Sequence, residues 1–105
     1  MFKIDKKILD KYYFVKNFIS GIKLTKIDII LIKNKNFYLK ISFIKIDNNS
    51  IYLCFNKKKI ILLLKQKEIF FIKNFLKKKY FCIPTKIFKI NSFYKIKISI
   101  VKKRG

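Results

Sequence analysis

No histidine occurs among the 105 residues. The commonest neutral-pH general base and metal ligand is therefore absent. No Ser–His or Cys–His arrangement can be assembled. The acids are Asp5, Asp10, Asp28, Asp47 and Glu68, scattered with no spacing that would pair two carboxylates. Cys54 and Cys82 lie far apart, inside the apolar runs Ile51-Tyr52-Leu53-Cys54-Phe55 and Tyr80-Phe81-Cys82-Ile83. They read as two small buried hydrophobes of a reducing compartment, with a disulfide or a paired thiol site as the alternative. Gly21 and Gly105 are the only glycines, so no glycine-rich loop can cradle a phosphate. The reading is a non-enzyme with no catalytic residue, no metal ligand set and no cofactor.

What remains is positive charge set among aromatic rings. Lys and Arg number 27 against 5 Asp and Glu, a net charge of +22, alongside 12 Phe and 6 Tyr. Self-repulsion at that level destabilises a compact chain. A polyanion relieves it by counterion release. Nucleic acid is the expected partner; an anionic membrane surface and codon drift are the alternatives. Drift belongs on that list because the commonest residues, 26 Lys and 22 Ile, are spelled by A/T-rich codons. Lys in place of Arg then reflects mutation pressure as much as chemistry.

These residues need elements to hold them. The length fits one domain, residues 1–105, with a core that needs no staples. Hydrophobic residues make up 51%, too many for a disordered basic tail. No run approaches the ~18–20 uncharged apolar residues of a membrane span. Met1-Phe2-Lys3-Ile4-Asp5-Lys6-Lys7 has no apolar h-region, so no secretory signal is expected and the cytoplasm is the expected location.

Asp5 is read as capping a turn before Ile8-Leu9. A strand is expected from Tyr12, with a bulge or bend at Gly21. Thr25 and Asp28 approximate a capping box for a short helix reaching Lys33, its apolar face formed by Ile27, Ile30 and Leu31. A buried strand is the competing reading of that segment. Phe37–Ile46 alternates as a strand, with Leu39, Ile41 and Phe43 opposite Lys40, Ser42, Ile44 and Ile46. Asp47-Asn48-Asn49-Ser50 turns it into Ile51–Phe55, and Asn56–Lys59 reads as a basic loop. Ile60–Leu64 is an apolar run. A second helix is expected from about Lys65 to Lys77, with the stripe Ile69, Ile72 and Leu76. Phe81–Phe88 and Phe93–Val101 form a hairpin around Asn91-Ser92, with Pro84 marking an edge or a bulge. In the last strand Lys95 and Lys97 alternate with Ile96, Ile98 and Ile100, giving one wet basic face and one core face. The expected fold is mainly β: a small closed antiparallel barrel, oligonucleotide-binding-like, with two or three short helices.

The order of these pieces resembles the SsrA-binding protein (small protein B) family, which binds transfer-messenger RNA in bacterial ribosome rescue. The family's opening Asn-Lys-Arg and aromatic strand are similar to Asp5-Lys6-Lys7 and Tyr12-Tyr13-Phe14. Its Gly-Leu-x-Leu-x-Gly-x-Glu-Val-Lys-Ser-Leu-Arg resembles the stretch from Gly21-Ile22-Lys23-Leu24 through Asp28 to Lys33. Its Leu-Leu-Leu-x-x-(Lys/Arg)-Glu-Ile is matched by Leu62-Leu63-Leu64-Lys65-Gln66-Lys67-Glu68-Ile69. Its Val-Pro-x-x-x-Tyr is similar to Ile83-Pro84-Thr85-Lys86-Ile87-Phe88, and its closing basic strand to Lys95–Arg104. The register runs from about Asp5 to the end.

The resemblance implies an RNA-binding protein without enzymatic activity. It would grip the elbow of the tRNA-like domain of transfer-messenger RNA and help deliver that RNA to stalled ribosomes. The partners it implies are transfer-messenger RNA and the ribosome, with no membrane, the protein acting as a monomer. The candidate RNA contacts are Lys6, Lys7, Tyr12, Lys33, Lys35, Lys65, Gln66, Lys67, Lys95, Lys97, Lys102 and Lys103. Lysines would position phosphates, and aromatics would stack on exposed bases. Lys95 and Lys102 match RNA-facing basic positions of the family; Phe43 stands in a Tyr place, and Leu63 reads as core. The chain departs from the pattern in four places. The loop before the Leu-rich segment shrinks to Asn56–Lys59, Ile19-Ser20 replaces an acid, and Lys33 replaces an Arg. The sequence also ends where the family's basic tail begins, a tail that enters the decoding centre. RNA binding by the barrel body is therefore better supported than full tagging activity. A generic basic ribosomal protein and a membrane-surface binder remain as rivals.

Overall fold

The computed structural model describes residues 2–3, 10–33, 42–55 and 58–104. Its strands are β1 (Phe2–Lys3), β2 (Tyr12–Ile22), β3 (Phe43–Asp47), β4 (Ser50–Phe55), β5 (Lys58–Leu63), β6 (Phe81–Ile90) and β7 (Phe93–Lys103). Two helices, α1 (Lys26–Lys33) and α2 (Gln66–Lys77), interrupt them. The expected turn at Asp5 falls outside the described residues, as do the contacts expected of Lys6, Lys7 and Lys35. Much of the alternation expected from Phe37 also falls outside them.

All pairings are antiparallel, in the order β1-β6-β7-β2-β5-β4-β3. Tight turns set the hairpins: Asn48 (φ 55°) ends β3–β4 and Asn91 (φ 54°) ends β6–β7. Asparagine tolerates that left-handed conformation better than most residues. Strand β2 joins the two halves of the sheet. Tyr12 to Gly21 lie along β7, while Gly21 and Ile22 also meet Leu63 and Leu62 of β5.

The sheet is not a closed barrel. Strands β3 and β6 approach within 8 Å between Cα atoms, but no ladder joins them among the described residues. Two features of β6 oppose closure. Phe2 and Lys3 of β1 already pair with Ile87 and Lys86. Pro84 has no N–H to offer a further strand.

The core lies on the concave side of the sheet. Ile96, Ile98 and Ile100 are fully buried there with Ile51, Leu53 and Ile87. Helix α2 closes that side with Ile69 and Ile72 buried and Leu76 partly so, the stripe expected from the sequence. An aromatic chain runs along the seam. Phe18 meets Phe71 edge-on at 5.8 Å; Phe71 lies 5.0 Å from Phe75, and Phe75 lies 5.0 Å from Tyr80. Cys54 is buried and Cys82 half-buried, both as free thiols. Burial pushes the Cys82 thiol up to about 12, which leaves it protonated and inert.

Several local expectations change. The β2 irregularity falls between Phe14 and Lys16, not at Gly21. Gly21 sits where β2 passes from pairing with β7 to pairing with β5, and no register shift falls there. The Pro84 bulge is present, as a register shift between Pro84 and Lys86. Lys58 and Lys59 belong to strand β5 rather than to a loop. Helix α1 forms where expected but turns the other way. Ile27 is 63% exposed and Ile30 is exposed too, while Asp28 is buried. Asp28 is drawn inward by its partners, and the helix follows.

Candidate nucleic-acid interface

Strand β7 carries the convex face. Every second residue from Lys95 points there, and the register fixes the neighbours. One row reads Leu63, Gly21, Lys95, Phe88; the next reads Ile19, Lys97, Lys86. Lys86 Nζ stands 5.1 Å from the Phe88 ring centroid. Lys95 Nζ lies 3.8 Å from the point a Gly21 Cβ would occupy, so its stem crosses the glycine. Ile19 and Leu63 are exposed beside these lysines; Leu63 is 58% exposed and not a core residue. Its neighbour Leu62 takes the inward position, as strand alternation demands.

The face is not uniformly wet. Lys95 and Lys97 are half-buried, and Ser99 and Val101 are fully buried. Strand β7 has partners on both sides, and they close over its lower half. Ser99 Oγ donates to Asn17 Oδ1 at 2.6 Å, and Val101 sits between Phe14 and Phe81. Beyond Val101 the face opens again. Tyr12 pairs with Lys103, and its half-buried ring meets Phe81 edge-on at 6.5 Å. On the opposite side, beside Lys102, Arg104 packs over Tyr13 at 4.5 Å.

The sequence-predicted contacts therefore do not form one patch. Lys95, Lys97, Lys103 and Tyr12 share the convex face. Lys102 points to the other side of β7, where its Nζ lies 5.9 Å from the Tyr80 ring. Lys65, Gln66 and Lys67 start α2 and are all exposed. Gln66 Nε2 donates to Asn49 O at 3.2 Å. Lys33 ends α1. Sequence reasoning missed Lys86 and Phe88, although their period-two spacing around Ile87 was a signal. It also missed Lys73, six residues beyond Lys67, whose Nζ donates to Asn48 O at 3.2 Å.

With so few acids, cations settle on rings. Lys16 lies 4.6 Å from Phe71, Lys59 lies 5.3 Å from Tyr52, and Lys89 lies 5.5 Å from Tyr94. Such contacts stabilise by about 0.5–1 kcal/mol at exposed sites. They leave the ammonium charged and able to meet phosphate. Acids are used for structure. Asp28 Oδ1 accepts from Lys58 Nζ at 3.3 Å, and Asp28 Oδ2 accepts from the Thr25 N–H at 3.0 Å. Among the described residues no group of three His, Cys, Asp or Glu could hold a metal ion. No helix among them is long and apolar enough to cross a membrane.

No family model matches the chain, and no curated protein matches it in sequence. Among solved structures, one described as tmRNA-SmpB on a journey to the center of the bacterial ribosome matches with a TM-score of 0.69. The identity is 17%, over 90% of this chain and 78% of that chain. At that identity the likeness shows a shared fold.

Proposed function

We propose that this chain is a non-enzymatic RNA-binding protein of the SsrA-binding type. It grips the tRNA-like domain of transfer-messenger RNA and assists its delivery to stalled ribosomes. The supporting observation is a coincidence of two facts. The fold is that of a protein described together with tmRNA and the bacterial ribosome, and this chain carries +22 charges on it. One fold hosts many activities; a shared fold together with so high a positive charge narrows them.

In this reading the convex face meets the bent RNA. Lys86, Lys95, Lys97 and Lys103 set the phosphate register, with Phe88 and Tyr12 beside them for exposed bases or riboses. Lys6, Lys7, Lys33 and Lys35 are further RNA contacts in this reading, as are Lys65, Gln66, Lys67 and Lys102 off the face. Lysines act as point charges, so shape and spacing supply discrimination rather than bidentate readout. The protein works as a monomer in the cytoplasm, on the ribosome and away from membranes.

Gel-shift titration tests this directly. The tRNA-like domain should bind at least about ten-fold tighter than random duplex of equal length. Equal affinity would remove the proposal. Native pull-down that recovers ribosomal RNA without transfer-messenger RNA would favour a generic ribosomal protein instead.

A further inference from the structure

Helix α2 buries Ile69 and Ile72 but leaves Phe70 between them in sequence and 67% exposed. Among the described residues no ring and no lysine packs on Phe70, in a molecule where most aromatic faces carry one or the other. Phe70 borders a groove of about 340 Å³, lined by Asn49, Gln66, Lys67, Ile69, Phe70 and Lys73. That volume lies at the lower end of small-molecule sites, about 300–1,000 Å³.

The chemistry of the lining is selective. Lys67 and Lys73 stand three residues before and after Phe70, and residues at that spacing share a helix face. Phe70 thus lies between two lysines along one helix face. Lys73 is held by the carbonyl of Asn48 and Gln66 by that of Asn49, so the β3–β4 turn fixes both side chains in place. No acid lines the groove. Glu68, the acid of this helix, turns back to accept from the Lys65 N–H at 3.0 Å. A bare ring between two cations, beside an amide, matches a planar base carrying a phosphate on each side. It does not match a peptide carboxylate, which has no use for the ring.

The geometry points to this groove as a binding site for one unpaired nucleotide of a single strand, its base on Phe70 and its flanking phosphates on Lys67 and Lys73. The inference rests on the RNA-binding reading above and gives Gln66 and Lys67, which lie off the convex face, a specific ligand. Helix α2 covers the concave side of the sheet, and the β7 lysines lie on the convex side.

The test uses the full chain and hexauridylate, a strand too short to form a tRNA-like bend. Amide shifts should appear at Asn48, Asn49 and Gln66 through Lys73. Phe70→Ala should weaken hexauridylate binding about ten-fold, and Phe70→Trp should keep it. An abasic hexamer of equal charge should bind about ten-fold more weakly than hexauridylate. Phe70 is exposed, so Phe70→Ala should melt with the parent. Equal binding by Phe70→Ala, or by the abasic hexamer, would overturn the site. So would shifts confined to the convex face, or uridine monophosphate saturating the same amides as tightly as the hexamer. The two readings fail separately. Loss of tRNA-like-domain preference leaves Phe70-dependent hexamer binding standing; an inert Phe70 leaves the effect of Lys95→Ala and Lys97→Ala on the larger RNA standing.

Discussion

Asp28 shows how one residue changes what a helix faces. Burial alone would raise its carboxyl, but the Thr25 N–H and hydroxyl and the Lys58 ammonium hold it below the ordinary carboxylate value. A carboxyl depressed in the folded state contributes stability above its unfolded pKa, near 4, and loses it as pH falls through the lower folded value. Asp28→Asn should therefore cost about 1–2 kcal/mol at neutral pH by losing the cap and the ion pair. Denaturant melts should show the gap between the two proteins narrowing below about pH 4. A gap constant down to pH 2 would mean that the charge is irrelevant. The capping pair itself was legible, since Thr25 and Asp28 have the right spacing. The orientation of α1 was not. A periodicity count sees Ile27 and Ile30 and cannot see Lys58 waiting thirty residues away.

At the scale of elements, period and turn chemistry carried most of the information. Asn-containing turns, the Pro84 bulge and the Ile69–Ile72 stripe are local signals, and each appears in the structure. Gly21 misled because its place at the junction of β5 and β7 depends on strands far away in sequence. Closure was equally illegible, because it turns on whether β1 takes the outer edge of β6. The shared face of Lys95 and Lys97 was legible, because they alternate with isoleucines. The groove beside Phe70 and Lys73 was illegible, because it forms only where the β3–β4 turn meets α2.

Two substitutions probe these elements. A Cβ added at Gly21 would meet Leu63 Cδ1 at 3.4 Å and Cβ at 3.6 Å, ordinary contacts with an exposed side chain that can yield. The backbone there is not left-handed. Gly21→Ala should thus be neutral or stabilise by up to about 1 kcal/mol, read as an unchanged or slightly higher Tm. A Tm drop of 10 °C would contradict the packing account. Lys65 precedes α2 at its N-cap, where its N–H donates to the Glu68 carboxylate and its carbonyl accepts from the Glu68 N–H, but its side chain offers no acceptor. Lys65→Ser should complete the capping box and add about 0.5–1 kcal/mol. If Lys65 also meets phosphate, the same substitution flattens the salt dependence of RNA binding by about one contact. Thermal melts read the first effect and titrations at several salt concentrations the second.

For the whole molecule, salt should act in opposite directions on folding and on binding. Two ion pairs are formed among the described residues, Lys58–Asp28 and Lys59–Asp47, too few to offset a net charge of +22. Most cations therefore repel one another, and cation–π contacts relieve only part of that because rings carry no net charge. Raising ionic strength from 0.01 M to 0.15 M shortens the Debye length from about 30 Å to about 8 Å. The Cα radius of gyration is 13.3 Å, so the lower salt leaves charges interacting across the protein and the higher salt does not. Tm should rise over that range. RNA affinity should fall over the same range, log K declining linearly with log salt as counterions are released. Replacing Lys95 and Lys97 together by Ala should flatten that line by about two contacts and raise Tm in low salt, since each removes a repelling charge. A protein whose Tm falls with salt would be held together by more ion pairs than the two among the described residues. One whose RNA affinity ignores salt would be gripping bases without the phosphates, against the arrangement of the convex face.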